Sequence, residues 1–235
     1  MANRPVVPHE EWIEARKRLL VKEKEVTHLH DELSRERRAL PWERVDKPYV
    51  FEGPNGSVTL VDLFEGRHQL IIQHFMFDPS WDTACKSCSF WADGYNGIFV
   101  HLEQRDVAFV AVSLAPYAKL EAFKQRMGWR FKWVSSQGSE FNRDYQVSET
   151  PEEKAKGEAY YNYRIGKASG SERAGISVFY RDDDGAIYHT YSCYARGLDT
   201  LNAAYHYLDL LPKGRDEDAL SYPQAWVRLH DDYGR

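Results

Sequence analysis

Cysteine is scarce in this chain, with three residues among 235, at positions 85, 88 and 193. So small and odd a number does not read as the disulfide framework of a small secreted domain. A chain of this length buries about 70% of its unfolded surface and needs no such staples. Long apolar runs are also lacking. The most apolar stretch, Leu70 to Phe77, is interrupted by Gln73 and His74 and falls well short of the ~20 residues that span a bilayer. The opening MANRPVVPHEEW carries no apolar signal-peptide core, so the expected location is cytoplasmic. Positive charge is not in excess: 31 Lys and Arg stand against 36 Asp and Glu, for a net charge of −5. That argues against a strongly basic nucleic-acid footprint. The expected partners therefore include neither nucleic acid nor membrane. No internal repeat is visible. Hydrophobic residues at 43% and charged residues at 29% are ordinary globular usage, enough for one elaborated domain or two small ones.

Residues 9–38 read as a helix. Trp12, Leu19, Val26 and Leu33 recur every seven residues, with Ala15 and Leu29 between them, and charged residues fill the other face. Such a stripe wants a partner surface: its own domain, or the same helix of a homodimer. Pro41 and Pro48 bracket a connector. Asn55-Gly56, between two β-prone runs, predicts a hairpin through a type I′ turn. Leu70 to Phe77 and Val107 to Leu114 read as buried strands. Residues 85–102 read as a helix by their i, i+3, i+4, i+7 apolar spacing. A second helix runs from Pro116 to about Met127 with Gly128 as its C-cap, and Phe131 to Val134 is a short strand. Residues 139–172 read as an irregular insertion. Gly175 to Ser192 reads as strand, Asp-Asp-Gly turn, strand. Residues 198–211 read as a helix ended by Pro212. The expected organisation is a helical arm and connector over 1–48, a domain over 49–212 with its insertion at 139–172, and a polar tail over 213–235. The β-α-β middle and closing hairpin predict an α/β sandwich on a mixed central sheet.

Cys85-Lys86-Ser87-Cys88 follows an apolar strand and a loop and opens an amphipathic helix. Free backbone N–H groups at a helix N-terminus stabilise a thiolate, and the thiolate is the nucleophile. Cys85 is expected exposed at the cap, with Cys88 one turn in on the buried face. One sulfur attacks and the other resolves the mixed disulfide, and Lys86 adds positive charge beside Cys85. A structural zinc site wants four Cys or His ligands; only Cys193 and scattered histidines are available, so no metal is expected. The remaining reading is two buried, inert cysteines.

FMFDPSWDTACKSCSFWAD, VAVSLAPYAKLEAFKQRMGWRFKWVSSQGSEFN and YHTYSCYARGLDTLNAAYHYLDLLPKGRDE resemble a bacterial thioredoxin-like family catalogued as domain of unknown function 899. The resemblance runs from the N-terminal helix to about Glu217. It implies a thioredoxin-like three-layer sandwich and no cofactor. By that resemblance Cys85 matches the nucleophilic cysteine, Cys88 the resolving one, and Trp81 a tryptophan packed beside them. The sequence departs from thioredoxin in three places: Lys-Ser lies between the cysteines, Ala84 precedes them, and Ala174-Gly175-Ile176 stands where a cis-proline is usual. Asp78 and Asp82 are candidate carboxylates near the pair, with Asp82 also read as a helix cap. A second resemblance, to peroxiredoxins, rests on Pro79 and Thr83 one residue out of step with Cys85, on Arg173, and on Arg196-Gly197.

Cys193 is either a third redox partner or a small buried hydrophobe. His189 is a weak ligand or catalytic candidate, and His74 reads as a satisfied core histidine. Tyr160, Tyr161 and Tyr163, with Trp129 and Trp133, supply either packing or a substrate groove. The expected function is a thiol–disulfide oxidoreductase acting on protein or small-thiol disulfides. The alternatives are a peroxiredoxin-like thiol peroxidase and a non-catalytic thioredoxin-fold binding module.

Overall fold

A computed structural model describes residues 4–168 and 170–234, which divide into two compact units, Met1–Pro41 and Trp42–Arg235. The first is built on one helix, α1 (His9–Ala39), which has no buried residue. Its stripe residues Trp12, Leu19, Val26 and Leu33 are all exposed. The second unit carries the rest in this order: β1 (Glu43–Arg44), β2 (Val50–Gly53), β3 (Gly56–Thr59), α2 (Leu60–Leu63), β4 (Gln69–His74), α3 (Lys86–Ala92), α4 (Tyr95–Glu103), β5 (Val107–Ser113), α5 (Tyr117–Arg126), β6 (Lys132–Ser135), α6 (Phe141–Asp144), α7 (Pro151–Lys156), β7 (Glu158–Tyr161), β8 (Arg164–Lys167), β9 (Gly175–Arg181), β10 (Ile187–Tyr194), a 3-10 helix (Ala195–Leu201) and α8 (Ala203–Asp209). The connector thus contributes a strand to the second unit, where Glu43 pairs with His189.

The main sheet runs β1-β10-β9-β4-β5-β6-β2-β3. β4, β5 and β6 are parallel neighbours, and β9 lies antiparallel to β4. A β-α-β half joined to a β-β-α half around the central β4–β9 pair is the thioredoxin arrangement. β4 and β5 are apolar on both faces because both faces are covered. Leu70, Ile72, Val110 and Val112 point into one core with Leu63 of α2 and Phe141 of α6. Alternate residues, including Phe75, Phe109 and Ala111, enter a second core with Trp91, Tyr95, Phe123 and Tyr205 from α3, α4, α5 and α8.

Several local expectations give way to tertiary demands. The helix over 85–102 is two helices, broken at Asp93-Gly94. The Asp93 carboxylate accepts from Trp129 Nε1 at 2.9 Å and lies 2.6 Å from His230 Nδ1, so the break is tied to distant segments. The helix over 198–211 is likewise two pieces, because the Asn202 side chain caps α8 by accepting from the Tyr205 N–H at 3.1 Å. The first hairpin does not use a type I′ turn at Asn55-Gly56. Gly53 pairs with Gly56, which puts Pro54 and Asn55 at the bend. Proline's fixed negative φ cannot serve a type I′ turn, and the positive φ, +98°, is at Gly56 instead. The insertion over 139–172 is not irregular: it holds two short helices and the β7–β8 hairpin. Asn162 and Tyr163, both at positive φ (52° and 61°), make the turn of that hairpin. The tail from residue 213 contributes to the core: Val227 and Leu229 are buried, and Trp226 meets Phe90 edge-on at 5.5 Å.

His74 is fully buried and shares a hydrogen bond of 2.8 Å with Ser177 Oγ through Nε2. Burial, helped by the charge of His189, pushes its pKa down to about 3. Gly175 has a packing reason: a Cβ there would stand 2.5 Å from the ring of Tyr194, which is itself buried and donates its O–H to the Tyr145 carbonyl at 3.0 Å. Gly175→Ala should therefore destabilise the protein by about 2 kcal/mol, read as a lowered urea midpoint with an unchanged slope. Wild-type stability in that variant would show that the ring yields freely.

Candidate active site

β4 delivers the chain to a loop that ends at Cys85, the residue capping α3. The loop is pinned on both sides: the Cys85 N–H donates to the Met76 carbonyl at 3.1 Å, and the Ala115 N–H to the Phe77 carbonyl at 2.8 Å. Cys85 is half-buried and Cys88 buried, and both are thiols. The two lie 3.8 Å apart. The Cys88 side chain lies beside the Cys85 sulfur. That contact, together with the N–H groups of Cys88 and Ser87 and the Ser87 hydroxyl, outweighs burial and brings the Cys85 thiol down to about 6. Cys88 is held well above the ordinary thiol range by its contact with Cys85, by burial and by the charge of Cys85. The environments thus drive the two thiols apart, one toward the anion and one toward the neutral form.

A mainly apolar cavity of about 260 Å³ opens at this pair. Met76, Trp91, Ala174 and Leu198 line it with the cysteines, and Arg196 and Asp199 add charge. Ala174 is the residue of the loop before β9 that faces the cysteines, in the place where a cis-proline is absent. Tyr161, from the insertion, fixes that loop: its O–H donates to the Ala174 carbonyl at 2.6 Å and accepts from the Ala195 N–H at 3.0 Å.

The supporting residues named from the sequence scatter. Trp81 is half-buried against the same core, and its carbonyl accepts from the Lys119 ammonium. Asp82 is exposed and does not cap α3, whose cap residue is Cys85 with no side-chain hydrogen bond. Thr83 is exposed. Lys86 places its ammonium over the Tyr222 ring at 5.8 Å. Arg173 pairs with buried Glu149 at 2.7 Å and stacks 4.8 Å from the Tyr161 ring. It lines a different cavity from the cysteines. Cys193 is half-buried against the core that holds the cysteine pair. His189 lines a separate cavity of about 490 Å³ and shares a 2.7 Å hydrogen bond with Ser192 Oγ. Trp129 and Trp133 are core residues.

Glu172 is the residue sequence reasoning missed. It is 4% exposed, accepts from the Ser148 hydroxyl, and accepts from Asn142 Nδ2 at 3.2 Å. Burial pushes its carboxyl up to about 8, and the charge of Asp78 adds to the rise. Its own charge in turn raises Cys88. Asp78 has the opposite fate: burial raises it, but the hydroxyl and N–H of Ser80 and the Ser171 hydroxyl outweigh that and leave it lowered. A lone Glu in a Ser-Glu-Arg run carries no pattern that announces burial.

Among the described residues no three His, Cys, Asp or Glu side chains gather to hold a metal ion, and no helix is long and apolar enough to cross a membrane. No curated protein matches the sequence. Among solved structures, the chain is similar to peroxiredoxin Q of Xanthomonas campestris, with 18% identity over 68% of this chain and 89% of that one and a TM-score of 0.42. It is also similar to peroxidoxin BcpB of Mycobacterium tuberculosis, with 12% identity, 69% and 93% coverage and a TM-score of 0.41. A third similar structure is a protein assigned as thiol:disulfide interchange protein DsbE, from Chlorobium tepidum, with 14% identity, 70% and 97% coverage and a TM-score of 0.40. The model of one sequence family matches residues 1–233, and the chain belongs to that family, described as bacterial protein of unknown function (DUF899).

Proposed function

We propose that this protein is a thiol–disulfide oxidoreductase whose reacting pair is Cys85 and Cys88. The observation that carries the reading is the placement of buried Cys88 3.8 Å from Cys85, the residue that caps α3 at the mouth of an apolar cavity. Cys85 is thereby the attacking thiolate at neutral pH. It displaces one sulfur of a substrate disulfide, which leaves as a thiolate, and forms a mixed disulfide. Cys88 then loses its proton and attacks Cys85, releasing the second substrate thiolate and closing the Cys85–Cys88 disulfide. Two electrons pass from the protein to the substrate, and an external thiol restores the pair. The apolar cavity suits a small disulfide or an apolar side chain beside a protein disulfide.

Glu172 acts on the second half of this cycle. While its carboxyl keeps its proton, Glu172 adds no negative charge against ionisation of Cys88. Once it ionises, above about pH 8, its charge adds to the cost of making a second thiolate. Tyr161 holds Ala174 and Ala195 at the cavity beside the pair. Peroxide turnover would need donors aimed at the peroxide beside Cys85. Thr83 is exposed and Arg173 is bound to Glu149, so the arrangement favours disulfide exchange.

The test is alkylation mass spectrometry across glutathione buffers of graded potential. A reversible two-thiol change confined to Cys85 and Cys88, with one midpoint, is the expected result. In the reduced protein the alkylation rate of Cys85 should rise through a midpoint near pH 6, since only the thiolate reacts. A midpoint near the ordinary thiol value of ~8.5, or no disulfide at any potential, would refute the proposal.

A further inference from the structure

We propose that α1 pairs with the α1 of a second copy of this chain as a parallel two-stranded coiled coil. α1 is 31 residues long and buries none of them, yet it carries a seven-residue apolar repeat. Trp12, Leu19, Val26 and Leu33 are 53%, 52%, 53% and 44% exposed. With these at the a positions, Ala15 and Leu29 fall at d, and a and d together form the seam of a coiled coil.

The flanking charges choose the partner and its direction. In a parallel homodimer each g residue faces the e residue five places on in the other helix. Here those pairs are Glu11 with Arg16, Arg18 with Glu23, Glu25 with His30 and Glu32 with Arg37. Three join opposite charges, and the fourth sets a carboxylate beside a histidine. In the antiparallel pair that keeps the stripes matched, Glu11 meets Glu32 and Arg16 meets Arg37, like on like, and one pair alone, Arg18 with Glu25, joins opposite charges, against three in the parallel pair. Within α1, Arg16 and Glu23 already bridge at 2.7 Å, so both side chains run along the edge where a partner helix would lie. Lys22 and Glu36 at d weaken the seam, and their long stems let the charged ends reach water beside it. The resulting dimer is concentration-dependent and adds nothing to the cysteine chemistry.

Sedimentation equilibrium on the full chain, up to about 100 μM, should show twice the monomer mass. Glu11→Lys with Glu32→Lys places like charges across the seam and should weaken association roughly tenfold or more. Adding Arg16→Glu and Arg37→Glu should restore it. Circular dichroism of each variant reports whether α1 still forms. For direction, Val26→Cys in a chain with Cys85, Cys88 and Cys193 replaced by Ser should oxidise readily to a disulfide dimer, because a faces a only in the parallel pair. A monomer throughout the concentration range overturns the proposal. So does a dimer indifferent to the charge swaps with α1 intact, or one that Val26→Cys does not cross-link.

Discussion

Cys85→Ser should lower the reduction of oxidised glutathione or of a disulfide-bonded peptide to the uncatalysed background, a loss of about a thousandfold or more. No other thiol can take its place as the attacking group. Cys88 is buried and held well above the ordinary thiol range, and Cys193 is outside the lining of the cysteine cavity. Cys88→Ser should behave differently. It keeps the attacking thiol but cannot resolve the adduct, so the mixed disulfide on Cys85 should accumulate and appear as one added substrate half in the intact mass. Because the Cys88 thiol is the largest cause that lowers Cys85, Cys88→Ala, which leaves no donor there, should move the alkylation midpoint of Cys85 upward from about 6. Equal activity in Cys85→Ser and wild type would remove the enzyme reading altogether. An unshifted midpoint in Cys88→Ala would remove the claim that one sulfur tunes the other.

Glu172→Gln should change how stability depends on pH. The Glu172 carboxyl is raised from 4.5 to about 8 in the folded protein. Its favourable contribution is fully present below pH 4.5, where both states are protonated. It is lost as pH rises through about 8, because only the unfolded chain releases its proton easily. The full span is on the order of 5 kcal/mol. Cys85 runs the other way. Its pKa is lowered from 9.0 to about 6, so its contribution is present above pH 9 and is lost as pH falls through 6. The comparison therefore belongs in a Cys85→Ser background, by urea unfolding at pH 5 and pH 8. The protein that keeps Glu172 should lose stability across that interval, and the Glu172→Gln variant should lose much less. Parallel curves for the two proteins would mean that the carboxyl is ionised when buried, and its link to Cys88 would fail with it. In the enzyme with both cysteines, Glu172→Gln should also remove the inflection near pH 8 from the rate of mixed-disulfide resolution.

The sequence by itself determined the parts whose causes are local. Continuous apolar runs at Leu70 and Val107 specify strands covered on both faces, and β4 and β5 occupy those positions. The Asp-Asp-Gly turn between β9 and β10, Gly128 after α5 and the 31-residue helix α1 follow from turn chemistry, capping and a seven-residue repeat. Cys85 and Cys88 were legible as a pair because their spacing places them one turn apart at the start of a helix, next to the strand that would present them. Tertiary structure decided what depends on groups far apart in the chain. Asp93 is drawn to Trp129 and His230, which splits a helix that periodicity reads as one. Pro54 displaces the hairpin turn because its ring fixes φ. Arg173, read beside the thiolate, is held by Glu149, and Asp82, read as a cap, lies in water. Glu172 becomes a weak acid because the fold buries it, with Asp78 adding to the rise, and the hydrogen bonds from Ser148 and Asn142 do not offset that; its charge then reaches Cys88. Ionisation responds to burial and to through-space charge, and neither can be counted along the sequence.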